Sequence, residues 1–283
     1  MYFPGLWTAK QIVLDLRRVF GSKPSEPVFV ITHHKVATVL IRKVMMEVSE
    51  KIGWRYSSTM GVATNIPSKT DLLHVIHGTV SDSFFQSRNK GVRIIRDPRD
   101  VIVSGYLYHQ RCSEKWCVNS DFSDPSRPFP QVPWPLVDAD LAAKEEFVSR
   151  LDGLSYQEKI SSLSKAEGLI FEMDGFAKIT IDEMIRWKDN DYVLTIKMED
   201  LVEDYDSVFE KIFRWMGIGE VDIGNCLKIA ITHDMNRMDE DLIASNPHIS
   251  TGELRKWKDF FSPEVEEAYQ ERFGEAHKEL GYG

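Results

Sequence analysis

The sequence predicts an α/β fold, with a mainly parallel sheet flanked by helices. Three observations predict it. Short apolar, β-branched runs recur at Val28–Ile31, Leu72–Ile76, Gly91–Ile95 and Tyr192–Ile196, and uniformly apolar runs of this length mark strands buried on both faces. Segments with helical apolar spacing alternate with them, the order that builds a parallel sheet. The composition, 42% apolar and 28% charged, is that of an ordinary globular chain and excludes collagen-like, disordered and disulfide-scaffold classes.

The elements follow in order. Residues 8 to 20 place Ile12, Val13, Leu16, Val19 and Phe20 on one side of a helix, suited to packing against the domain. A turn-rich break, 21–27, precedes the first strand. After His33-His-Lys-Val-Ala37, Thr38 to Ile52 reads as a helix with an apolar stripe of Leu40, Ile41, Val44, Met45 and Val48. The third strand stops at Arg96-Asp-Pro98, where Asp97 is a good N-cap and Pro98 suits the first helical position, so a helix runs to about Tyr108. Cys112 to Pro135 has five prolines and no period, and is a loop or lid. Helices are expected at Tyr156–Phe171 and Phe176–Trp187, at about Leu201–Met216 after the fourth strand, and from Ser262-Pro263 towards Leu280. No repeat or linker divides the chain, so 1–283 is one domain with a lid-like insertion at about 112–135.

Lys and Arg number 35 against 44 Asp and Glu, a net charge of −9. Such a chain is a poor general nucleic-acid binder, and an anionic ligand needs a local basic pocket. Three cysteines, Cys112, Cys117 and Cys226, are too few for a disulfide framework, although one Cys112–Cys117 bridge is compatible with the spacing. No run of about 20 apolar residues exists to span a membrane. The start lacks the basic and apolar regions of a signal peptide, so a cytoplasmic protein is expected.

Two loops carry candidate chemistry. Thr32-His-His-Lys-Val-Ala-Thr38 leaves a strand and opens a helix, a geometry that offers free backbone N–H groups and the positive helix end to a phosphate. It lacks both glycines of a P-loop. Arg96 closes a strand, and Ser104 lies about two turns into the next helix. Both can face the crevice at the carboxyl edge of a parallel sheet, where an arginine fork and a hydroxyl suit a phosphate monoester. Asp97, Arg99 and Asp100 read as capping and surface pairing.

These segments together resemble the sulfotransferase family, which uses 3′-phosphoadenosine 5′-phosphosulfate (PAPS) as sulfate donor. The family's P-K-S-G-T-T-W stands as His34-Lys-Val-Ala-Thr-Val-Leu40, and its R-[DN]-P-[KR]-D-x-x-x-S-x-Y is filled at every specified position from Arg96 to Tyr106. Its Y-E-D-[LM] appears as Met198-Glu-Asp-Leu201, with Trp215-Met-Gly217 for the later F-L-G. Its R-K-G-x-x-G-D-W-K-N-x-F is echoed by Ser250-Thr-Gly-Glu-Leu-Arg-Lys-Trp-Lys-Asp-Phe-Phe261.

The resemblance implies a P-loop-NTPase-like three-layer sandwich and site roles. Lys35 would contact the 5′-phosphosulfate, and the backbone of Val36, Ala37, Thr38 and Val39 would cradle it. Arg96 and Ser104 would hold the 3′-phosphate, joined by Ser250, Thr251 and Gly252. The family's Ser-Gly pair is Val36-Ala37 here, its adenine-stacking Trp is Leu40, and its late Arg-Lys is Ser250-Thr251; Arg255 or His248 is a candidate for the missing charge. Thr232-His233 stands roughly where the family has a Ser-Phe pair near adenine. The family's base histidine after a strand corresponds to His77 in Leu73-His-Val-Ile-His-Gly78. If the strand continued through it, His74 would point to the opposite face. Glu172 is a second candidate base, with a helix surface as its ordinary place.

The implied reaction is in-line sulfuryl transfer to a hydroxyl of a small-molecule, lipid or carbohydrate acceptor, with His77 as base and Lys35 stabilising the leaving phosphate. No metal is required, and Cys112-x4-Cys117 is too thin for a zinc site. The alternatives are a nucleotide kinase of related architecture and a non-catalytic nucleotide-binding protein. The sequence does not fix the acceptor or the oligomeric state.

Overall fold

A computed structural model describes residues 23–122, 132–133, 136, 139–187, 190–238 and 254–283. The helix expected over 8–20, most of the lid, and His248, Ser250, Thr251 and Gly252 lie outside the described residues.

The first strand, β1 (Val28–Thr32), leads to α1 (Thr38–Ile52); β2 (Tyr56–Thr59) and β3 (Leu72–Ile76) follow, then the short α2 (Asp82–Phe85) and β4 (Gly91–Ile95). Next come α3 (Pro98–His109), α4 (Leu141–Ser149), α5 (Tyr156–Ser162), α6 (Lys165–Asp174) and α7 (Phe176–Arg186). β5 (Val193–Lys197) is followed by α8 (Met198–Glu203), α9 (Tyr205–Trp215) and α10 (Glu220–Ile231), and α11 (Trp257–Phe260) and α12 (Pro263–Glu279) end the chain.

The strands form one sheet in the order β2-β3-β1-β4-β5, and every pairing is parallel. Every residue of β1, β3 and β4 is buried, which is why their sequences are apolar without alternation. Val28, Val30, Leu72, Val92 and Ile94 pack into the main core with α1 residues Ile41, Val44 and Val48. Phe29, Ile31, Leu73 and Val75 face the other way, onto Phe84 and Trp187. Burying each such side chain stabilises the fold by about 1.5–3 kcal/mol. In one layer α10 contacts both α1 and α9, and in another α3, α6, α7 and α12 contact one another.

Central β1 sends its connection towards β2 and β3, whereas β4 sends its connection towards β5. Connections that diverge from adjacent strands open a crevice at their carboxyl ends. The loops after β1 and β4, both singled out in the sequence, flank that crevice.

Several boundaries differ from expectation. One helix over Tyr156–Phe171 is instead α5 and α6, because Ser155 and Ser164 each form a capping box, with Glu158 and Glu167. The helix expected from Leu201 begins at Met198 and breaks at Asp204, whose φ of −136° and ψ of 62° are not helical. Among the described residues, no helix is long and apolar enough to cross a membrane.

Candidate active site

The loop after β1 is a tight turn with two left-handed residues, Lys35 at φ 58° and Ala37 at φ 53°. Such backbone costs a non-glycine residue of order 1–3 kcal/mol. Two bonds hold it: the Val36 N–H and the Thr38 hydroxyl both donate to the His33 carbonyl, at 3.0 and 2.8 Å. The Val36 amide, expected in the phosphate cradle, is therefore already engaged within the turn. Thr38 and Val39 head α1, where N–H groups have no intrahelical acceptor.

Arg96 leaves the end of β4, is 6% exposed, and donates through Nη1 to the Lys35 carbonyl at 3.0 Å. Its Nη2 lies 3.8 Å from Asp100 Oδ2, and its Nε is buried with no partner among the described residues. The sequence-predicted Lys35 loop and Arg96 are thus in direct contact. Ser104 is half-buried on α3. Asp97 caps that helix, accepting from the Arg99 N–H at 2.9 Å and pairing with the Arg99 side chain. Its own N–H donates to Glu199 Oε1 at 3.0 Å. Asp100 is not a surface residue: it is 1% exposed and accepts the N–H groups of Arg255 and Trp257 at 2.8 and 3.2 Å. Asp100 thereby anchors the late segment beside Arg96. The Arg255 side chain pairs with Glu203 at 3.0 Å, and His233 lies 3.0 Å from Glu47.

Histidines crowd the neighbouring wall. His77 lies one residue beyond β3 and is left-handed, φ 71°, so the strand alternation used to place it opposite His74 does not reach it. Its Nδ1 is buried with no partner among the described residues, and burial lowers its pKa to about 4. His74 is a satisfied core residue, bonded to Thr32 Oγ1 at 2.8 Å and Tyr56 OH at 2.9 Å. His33 fills the space over Gly78, where a Cβ would fall 2.2 Å from the imidazole. His34 stacks on His109, with ring centroids 5.1 Å apart, and lies 5.8 Å from the His77 ring. His109 Nδ1 is 2.9 Å from Glu172 Oε2, which also accepts from the Tyr156 hydroxyl. Glu172 is fully buried rather than on a helix surface; α6 turns it inward over Gly105, whose missing Cβ leaves room for the carboxylate.

Lys35 is half-buried, and its ammonium rests 3.8 Å from the centre of the Tyr108 ring. Burial and then Arg96 pull its pKa down to about 8, against Glu114, which raises it. The Tyr108 hydroxyl and the Trp116 indole N–H both donate to the Glu114 carboxylate. Cys112 and Cys117 are free thiols, not the considered bridge, and the Cys117 thiol donates to the His109 carbonyl at 3.6 Å. The neighbouring Cys117 thiol holds the Cys112 pKa below the usual thiol range.

Tyr108, Glu114 and His109 escaped the sequence reading. A signal for Tyr108 was present: it lies four residues after Ser104 and so shares a helix face with it. Glu114, in a stretch without period, gave none.

A family model described as the sulfotransferase domain matches residues 26–281. The chain belongs to that family. Among curated relatives, mouse Sulfotransferase 2A6 is 29% identical over 121 residues, covering 37% of this chain and 42% of that protein. Mouse Sulfotransferase 2A1 is 25% identical over 122 residues, covering 38% and 42%. The matched span is thus less than half the length of these curated relatives. The crystal structure of mouse sulfotransferase SULT7A1, solved with PAP, aligns over 98% of this chain and 93% of that one, with a TM-score of 0.50 and 15% identity. That likeness supports the parallel α/β fold.

Proposed function

We propose that this sulfotransferase-domain chain transfers a sulfuryl group from PAPS to a hydroxyl of a small-molecule, lipid or carbohydrate acceptor. One observation carries the reading: the Arg96 guanidinium meets the Lys35 carbonyl at 3.0 Å, so the two anion-binding loops share one crevice. The residues fit such a donor. Arg96 keeps a buried Nε with no partner among the described residues, Lys35 supplies a charge, and the head of α1 supplies free N–H groups. The mouse relative solved with PAP supports the choice of nucleotide.

His77 takes the acceptor proton as the oxygen attacks sulfur, the sulfur–phosphate oxygen bond breaks, and Lys35 stabilises the charge left on that oxygen. Burial keeps His77 neutral at pH 7, so one ring nitrogen carries a lone pair for the proton. The rings of Tyr108 and Phe176 beside the histidines give an acceptor an apolar wall.

Titration calorimetry with adenosine 3′,5′-bisphosphate, then with magnesium ATP, tests the proposal. Binding of the bisphosphate without metal is expected. Tight binding of magnesium ATP alone refutes it.

A further inference from the structure

Charges of both signs act on the Lys35 ammonium, which rests 3.8 Å from the centre of the Tyr108 ring. Arg96 and Arg111 push its ammonium towards neutrality, as does burial, while Glu114 and the Cys112 sulfur act the other way. A neutral lysine cannot stabilise a leaving phosphate, so something must keep the proton on Nζ. The ring under Lys35 belongs to Tyr108, and the Tyr108 hydroxyl is tied to Glu114 at 2.5 Å. The second Glu114 oxygen takes the Trp116 indole. The carboxylate is thereby fixed from two sides, and Glu114 also raises the pKa of His77.

We infer that Glu114 is a positioning residue of the site: through Tyr108 it holds a resting place for the Lys35 ammonium and keeps it charged until the donor's anion draws it away. The inference rests on the sulfuryl-transfer reading, because only there does Lys35 need its charge. It assigns a task to the start of the 112–135 segment, which the motifs leave without one.

The test uses the whole chain and needs no acceptor. Lys35 is titrated by its pH-dependent acetylation with acetic anhydride, read by peptide mass spectrometry. In parallel, affinity for adenosine 3′,5′-bisphosphate is followed by calorimetry from pH 7 to 10. Glu114→Gln retains a partner for both Tyr108 and Trp116 but removes the charge. The expected result is a Lys35 midpoint lower by half a pH unit or more (roughly, for loss of one nearby opposite charge). The fall in bisphosphate affinity with rising pH should begin correspondingly earlier, and Glu114→Asp should restore the wild-type midpoint. Tyr108→Phe keeps the ring and cuts the tie, so its midpoint should fall in the same direction; it serves as the test if Glu114→Gln does not fold. Unchanged midpoints in the folded variants overturn the inference. Wild-type protein that fails to bind the bisphosphate overturns the functional reading instead, and the acetylation midpoint still decides the role of Glu114.

Discussion

Replacing Arg96 by Ala separates binding from folding. Among the described residues Arg96 makes one charged hydrogen bond, to the Lys35 carbonyl at 3.0 Å, and stands 3.8 Å from Asp100. A hydrogen bond from a charged group contributes about 1.5–3 kcal/mol. Losing it should lower the unfolding free energy by about that amount, because the buried Asp100 keeps two backbone donors. Binding loses more. A guanidinium fork on a phosphate makes two such bonds, so the low end is about 3 kcal/mol, or roughly 100-fold in Kd at 1.4 kcal/mol per decade. Since Arg96 is 6% exposed, salt should screen little of this loss. Calorimetry with adenosine 3′,5′-bisphosphate at two ionic strengths, beside thermal unfolding without ligand, reads both quantities. A lowered melting temperature with affinity within threefold of wild type would refute the reasoning, leaving Arg96 as a structural tie alone. Arg96→Lys should recover only part of the affinity, since an ammonium lacks the planar fork.

Other outcomes follow from the same geometry. His77→Ala should abolish turnover in an acceptor screen with labelled donor while bisphosphate affinity stays within a few-fold; full turnover would reject His77 as the base. Ala37→Gly should raise stability by about 1 kcal/mol, read by urea unfolding, because φ 53° suits glycine and strains alanine; destabilisation would contradict the strain. His33, His74 and His77 have pKa values lowered to about 3, 3 and 4 from 6.5, chiefly by burial. The unfolded chain therefore binds protons first. The stability these groups contribute is complete above pH 6.5 and is lost as pH falls through the window down to 4 and below, by about 2 kcal/mol for each at pH 5. Circular dichroism should show denaturant stability falling steeply from pH 6.5 to 5; a flat profile there would count against buried neutral histidines.

The sheet was legible because β1, β3 and β4 are buried on both faces, which forces unbroken apolar sequence. Thr38–Ile52 and the Asp97-Pro98 start of α3 were read at the right residues because their signals are local. β2, Tyr-Ser-Ser-Thr at residues 56–59, carries no apolar run and was not assigned, since an edge strand is held by pairing rather than burial. The site divides in the same way. Lys35 and Arg96 stand in spaced motifs next to strand ends, where the topology compels them to meet. Glu172 was misjudged because its burial depends on Gly105 of another helix, a contact 67 positions away in sequence (from 172 to 105). The Tyr108–Glu114 tie joins a helix end to an aperiodic segment, which no pattern announces.

The imidazole of His33 against Gly78 has an engineering consequence. The exits of two neighbouring strands share a single filled volume, so the turn bearing Lys35 and the turn bearing His77 behave as one mechanical part. Grafting a glycine-rich phosphate loop between Thr32 and Thr38 would empty that volume and let the His77 turn sag. A successful graft must therefore bring its own filler for position 33, or enlarge position 78 at the cost of a strained left-handed residue.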